Sequence, residues 1–141
     1  MSARPNQVLA VVVGLVVILA VVAGLLATRR EPVTLDPTTP EGSVQTFVLA
    51  VIEGDDEVAV ALLDPDLGCT APLREIYRPS RVSMAVVGTK STAQEATVVL
   101  DVTEYGEGPF SSWSHREVYD LLVKDSGWMI TGHPWPVYGC K

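Results

Sequence analysis

The chain has 141 residues, a net charge of −7, two cysteines and two histidines. The acid excess lies past residue 30: residues 31–141 hold seven bases against 17 acids, a net of −10, which repels phosphate backbones and argues against nucleic-acid binding. The stretch beyond the first 30 residues, about 100 residues once a linker is set aside, makes one small domain with one core.

Val8 to Ala27, VLAVVVGLVVILAVVAGLLA, is a run of 20 residues without a charge, hydroxyl or amide side chain. As a helix it is about 30 Å long, the thickness of a bilayer's hydrocarbon core. Its backbone must satisfy its own hydrogen bonds in lipid, so residues 8–27 are expected as a transmembrane helix contacting the lipid bilayer, with residues 1–7 as a cytoplasmic N-terminus. The flanking charges, Arg4 before and Arg29, Arg30 and Glu31 after, give no clean orientation. The even cysteine count and a proline–threonine linker favour placing the C-terminal domain outside the cytoplasm, at the plasma membrane. A cleaved signal peptide is the rival, but its apolar region is usually about 7–15 residues. No cysteine directly follows the run, so lipoprotein processing is excluded. Ala10/Gly14 and Ala20/Gly24 are small residues at a spacing that permits close helix pairing, and equally arise by chance in such a run.

Residues 28–40 form the linker, in which EPVTLDPTTP (31–40) reads as an extended, stiff spacer. The domain proper, 41–141, opens with a helix: Thr39 as cap, Pro40 in the first turn and Glu41 on the positive end of the dipole. Val44, Phe47, Val48, Val51 and Ile52 make one apolar stripe, and Gly54 ends it. Asp55 or Asp56 caps a second, shorter helix with Val58, Leu62 and Leu63 inward, stopped by Asp64–Pro65. Pro72 opens a third short helix, with Leu73, Ile76 and Tyr77 on its inner side and Pro79 at its end.

From Arg81 the period becomes two. Val82, Met84 and Val86 mark a first strand ending near Gly88. Glu95 to Tyr105 is a second strand with faces Ala96, Val98, Leu100, Val102 and Thr97, Val99, Asp101, Thr103. After a Gly-rich loop (106–113), Ser114 to Lys124 is a third strand with Tyr119, Leu121 and Val123 on its apolar face. Asp125–Ser126–Gly127 is a hairpin turn, and Trp128 and Ile130 begin a fourth strand. Pro134 and Pro136 confine the tail to edge or loop structure. The layout is α+β: a transmembrane helix, then three helices packed on a curved four-stranded antiparallel sheet.

The run TPEGSVQTFVLAVIEGDDEVAVALLDPD resembles the opening helix pair of the nuclear transport factor two-like (cystatin-like) superfamily, and DSGWMI resembles its late hairpin. The likeness covers residues 40–135. It implies a cone, a sheet wrapped around a long helix. The superfamily includes isomerases, dehydratases and polyketide cyclases. It also includes membrane-anchored bacterial envelope proteins without a known reaction, among them single-pass assembly factors, and the chain is similar to that anchored group, especially its actinobacterial examples.

Cys69 and Cys140, the only cysteines, read as a disulfide in an oxidising compartment, with two free thiols as the alternative. With His115 and His133 they stand 46, 18 and 7 residues apart, spacings that match no common zinc finger, so neither metal nor cofactor is expected. Enzymes of the superfamily put acids, His and Tyr inside the cone. The catalytic candidates are therefore Asp101, Tyr105, His115 and Tyr119, a His–Asp pair being suited to acid–base work. Against this, Asp101 shares the polar face of its strand, which usually meets water. Arg74, Arg78 and Arg81 recur along the third helix and its exit, fit to meet an acidic partner or anionic ligand, or to pair with nearby acids such as Glu75. Trp113, Trp128 and Trp135 read as packing. Trp135 between prolines is the one whose exposure, with Phe110 and Tyr138, would make an apolar docking patch. The expectation is a single-pass, extracytoplasmic, non-catalytic module that docks envelope proteins, associates with itself or holds a small apolar ligand. The alternative is a cyclase- or isomerase-type enzyme.

Overall fold

The structure, a computed structural model, describes residues 5–28, 33–108, 110–125 and 127–140. The flanking charges Arg4, Arg29, Arg30 and Glu31, and the loop and turn residues Pro109 and Ser126, lie outside the described residues. The chain divides into two units, Met1–Val33 and Thr34–Lys141.

The first unit is one helix, α1 (Pro5–Thr28). Its stretch Gln7–Leu26 is long and apolar enough to cross a membrane, and its side chains are exposed throughout. A bare apolar helix of this length needs lipid or a partner to cover it.

The second unit begins earlier than expected. Instead of remaining an extended spacer through Pro40, the chain turns at Asp36, whose carboxylate accepts from the Thr38 amide (2.9 Å) and hydroxyl (2.7 Å). Leu35 N–H donates to Gln45 Oε1 at 2.8 Å, which fastens the turn to α2 (Pro40–Glu53). That helix is capped as its sequence dictates: Thr39 Oγ1 accepts from Gly42 N–H at 3.1 Å, and Gly54 closes it at φ 80°. Val44, Phe47, Val48 and Val51 are fully buried, and Ile52 packs on the margin of the core.

In α3 (Asp56–Ala61), Ala59 is the buried residue, whereas Val58, expected inward, is exposed. The helix is too short to carry Leu62 and Leu63 on its own face. Those residues continue as a bridge beside the last strand, where Asp64 N–H donates to Ile130 O and Ile130 N–H to Leu62 O, each at 2.8 Å. Asp64 caps a 3₁₀ turn, Pro65–Leu67.

The third helix expected from Pro72 does not form. Residues 68–80 are irregular: Glu75 takes φ 55°, which no right-handed helical turn admits, and Leu73 N–H donates to Asp56 Oδ2 at 2.9 Å. Two α-helices and a 3₁₀ turn, not three helices, therefore accompany the sheet in this unit.

The sheet is antiparallel in the order β1–β2–β3–β4, with β1 (Val82–Ser91), β2 (Glu95–Tyr105), β3 (Ser112–Lys124) and β4 (Gly127–Thr131). Ala96, Val98, Leu100 and Val102 of β2 are buried with Tyr119, Leu121 and Ile130, and α2 covers this face. Val123, expected on it, is partly exposed. The outer face is polar and cross-linked by Thr97–Asp120, Thr103–Ser114 and Asp101–Arg116. The edge strand β1 carries a bulge at Val86/Gly88 and exposes Lys90, both of which discourage edge pairing. The other edge, β4, is partly covered by the Leu63 bridge.

Candidate functional site

Parity along β2 places Glu104 on the same face as Val98, Leu100 and Val102, and only 3% of it is exposed. A carboxylate so placed needs partners. The β2–β3 register, Val102 opposite His115 and Glu104 opposite Trp113, supplies one: His115 Nε2 lies 3.0 Å from Glu104 Oε1. Two residues along β3, Glu117 Oε1 lies 2.8 Å from His115 Nδ1. The Tyr77 hydroxyl donates to Glu104 Oε2. The His115 ring thus lies between two carboxylates, one at each nitrogen. The acids sit at opposite nitrogens and do not converge on one point. Among the described residues no group of His, Cys, Asp and Glu has the arrangement to hold a metal ion.

Aromatic rings enclose this centre. Trp113 stacks on His115 (centroids 4.6 Å apart, planes at 26°), and Trp135 meets it edge-on at 5.3 Å. The His115 side chain keeps 16% of its exposure, while Tyr77, Trp113 and Tyr138 remain about half exposed around it. Tyr119 lies deeper, its hydroxyl donating to Trp135 O at 2.9 Å. Burial pushes the Tyr119 phenol far above its usual range, with Glu117 and Tyr138 adding to the effect. The hydrogen bond to Glu104 raises Tyr77, with burial second, and burial together with Glu117 and Glu104 raises Tyr138. All three phenols are neutral donors at ordinary pH.

The sequence-derived candidates separate into two groups. His115 and Tyr119 belong to this centre. Asp101 does not: it faces outward in a two-point pair with Arg116 (2.7 and 3.2 Å), which holds its carboxyl below the usual range. Tyr105 also faces away, under the Arg81 guanidinium at 6.0 Å. The expected His–Asp pair is thus replaced by Glu104–His115–Glu117.

The arginines form no row, because the helix that would align them is absent. Arg78 pairs with Asp56 at 2.7 Å and donates to Val51 O at the end of α2. Arg81 reaches Gly106 O at 3.3 Å. Arg74 has no partner among the described residues and lines a cleft of about 370 Å³ with Leu73, Gly139 and Cys140. Trp135 is 2% exposed and cannot present a docking patch, whereas Phe110 and Tyr138 are exposed. Its flanking prolines shape a turn, with Val137 and Tyr138 N–H on Pro134 O, that folds the indole inward. Cys69 and Cys140 are joined in a disulfide, their Cα atoms 5.0 Å apart.

The fold has a solved counterpart. The chain is similar to the solution structure of a SEC-C motif containing protein from Rhodopseudomonas palustris, at 17% identity and a TM-score of 0.53, over 77% of this chain and 84% of that one. At that identity the likeness concerns the fold alone. No family profile and no curated protein match the chain.

Proposed function

We propose that this protein is a single-pass, membrane-anchored module of the nuclear transport factor two-like type, whose folded unit stands outside the cytoplasm and docks other envelope proteins without catalysis. The observation that carries the reading is a filled interior. Val98, Leu100, Val102, Tyr119, Leu121 and Ile130 are at most 2% exposed beneath α2, which leaves the inner face of the sheet packed by its own side chains. A small-molecule site of this fold class needs an open, partly polar hollow there. Clefts of about 370 and 390 Å³ lie instead along residues 68–76 with 139–140 and along residues 54–57 with 71–72. The apolar helix and the disulfide agree with a tethered unit in an oxidising space.

The test is protease accessibility in intact cells followed by crosslinking from membranes. The expected result is a mature chain that retains Val8 to Ala27, a C-terminal unit cut by added protease, and discrete crosslinked protein partners. A mature chain lacking its first two dozen or so residues, or a C-terminal unit shielded from protease, overturns the reading.

The Glu104–His115–Glu117 group favours the second reading, an acid–base enzyme of the isomerase or cyclase kind. A small-molecule set screened by thermal shift separates the two. Ligands that stabilise the native chain but not its His115→Gln variant support the enzyme.

A further inference from the structure

Two chain segments cover the Glu104–His115–Glu117 group. Residues 69–80 form a strap whose N–H groups make no backbone–backbone hydrogen bond among the described residues. Side-chain ties hold it: Leu73 N–H to Asp56, Tyr77 to Glu104, and Arg78 to Asp56 and Val51 O. Residues 132–140 form the tail, whose backbone bonds are internal, Val137 and Tyr138 to Pro134 and Gly139 to Val137. It is seated by the Trp135 ring and by the Tyr119 hydroxyl on Trp135 O. Tyr77 of the strap caps Glu104, and Tyr138 of the tail lies close enough to Glu104 and Glu117 to feel both charges. The Cys69–Cys140 bond joins one segment to the other.

We infer that this disulfide is the latch of a two-piece lid, and that its reduction uncovers His115 and its two carboxylates while the sheet stays folded. Both cysteines are only partly buried, and Cys140 lines the open cleft that also holds Arg74, a cation without a partner among the described residues and suited to stabilise a leaving thiolate. A dithiol reductant opens the latch. One of its thiolates attacks a sulfur of the bond to give a mixed disulfide and one protein thiolate. Its second thiol then displaces the other protein sulfur and the reductant leaves as a cyclic disulfide. Two electrons pass to the protein, and the two protons end on Cys69 and Cys140. α2 and the four strands hold one another by their own ladder and stripe, and to that core the strap adds Leu73 and the tail adds Trp135 and Val137.

The experiment uses the full chain in detergent micelles, oxidised or treated with dithiothreitol. Hydrogen exchange is mapped by peptide, and histidine modification by diethyl pyrocarbonate is followed at His115 against added N-acetylhistidine as reference, because His133 belongs to the tail and bonds Tyr138 O. Reduction is expected to speed His115 modification relative to that reference by about fivefold or more, with faster exchange confined to 69–80 and 136–140. A Cys69→Ser/Cys140→Ser double variant without reductant is expected to give the same pattern, and Arg74→Gln to slow reduction of the native bond. An unchanged His115 rate overturns the inference. So does faster exchange at Val98–Val102 and Tyr119–Leu121, in either the reduced chain or the double variant, because the bond is then a staple of the whole unit.

Discussion

Single residues decide how closely the chain can approach itself. Gly42, in the first turn of α2, lies under the Asp36 turn: a Cβ there would stand 1.8 Å from Asp36 O and 2.5 Å from its carbonyl carbon. Both are backbone atoms with no rotamer to yield, so Gly42→Ala is expected to cost about 1–3 kcal/mol in urea unfolding despite alanine's better helix propensity. Gly88→Ala, with open space around its Cβ, is the control and is expected to be near neutral. Neither effect is legible in the sequence, where Gly42 reads as an unremarkable helix residue. Glu104 was half legible. Alternation from Ala96 to Val102 places it inward, but an apolar face suggests itself as ending where a charge begins. That His115 arrives beside it depends on the β2–β3 register, which the length of the intervening loop sets and local pattern does not.

Elements were legible wherever cap, stripe and stop agreed. Thr39, Pro40, the Val44–Val51 stripe and Gly54 fix α2 without help from the rest of the chain, and Glu95 to Tyr105 forms a strand over the span its alternation marks. The segment after Pro72 shows the contrary case. Leu73, Ile76 and Tyr77 have helical spacing, yet long-range partners claim the strap: Asp56 takes the Leu73 amide, Glu104 takes the Tyr77 hydroxyl, and Glu75 between them turns to φ 55°, off the helical path. Local propensity in a stretch this short is weak against such ties. Two substitutions separate helix formation from its packing. Thr39→Ala removes the cap together with the hydroxyl's bond to Asp36 O and is expected to cost about 1–2 kcal/mol. Leu100→Ala hollows the face α2 rests on and is expected to cost about 2–5 kcal/mol, with little loss of helical circular dichroism below the transition. A larger loss from the cap variant than from the core variant would mean that α2 is held by its end rather than by its stripe.

At the scale of the whole folded unit, charge and burial together bound the pH range of stability. Three carboxylates, the surface residues Asp36 and Asp101 and the buried Asp64, are held below their usual range: Asp36 by the Thr38 hydroxyl and amide, Asp64 by Lys124 at 2.7 Å and the Asp66 amide, and Asp101 by Arg116. A carboxyl depressed in the folded state contributes stability above its unfolded value, about 4, and loses it as pH falls through the folded value. At the other limit, Tyr119, Tyr77 and Tyr138 are raised in the folded state. Their contribution is complete below the unfolded value, about 10, and is lost as pH rises past it, because the unfolded chain releases the phenolic protons first. Stability measured by urea unfolding is therefore expected to fall below about pH 4 and to fall again above about pH 10. Asp64→Asn is expected to make the acid limb shallower and, because Asp64 also raises Lys124, to soften the alkaline limb as well. Tyr119→Phe is expected to soften the alkaline limb alone, at a uniform cost of about 1 kcal/mol because Trp135 O loses its donor in a buried setting. An alkaline limb that keeps its slope in Tyr119→Phe would place the proton release on Lys124 and the two exposed phenols, Tyr77 and Tyr138, instead.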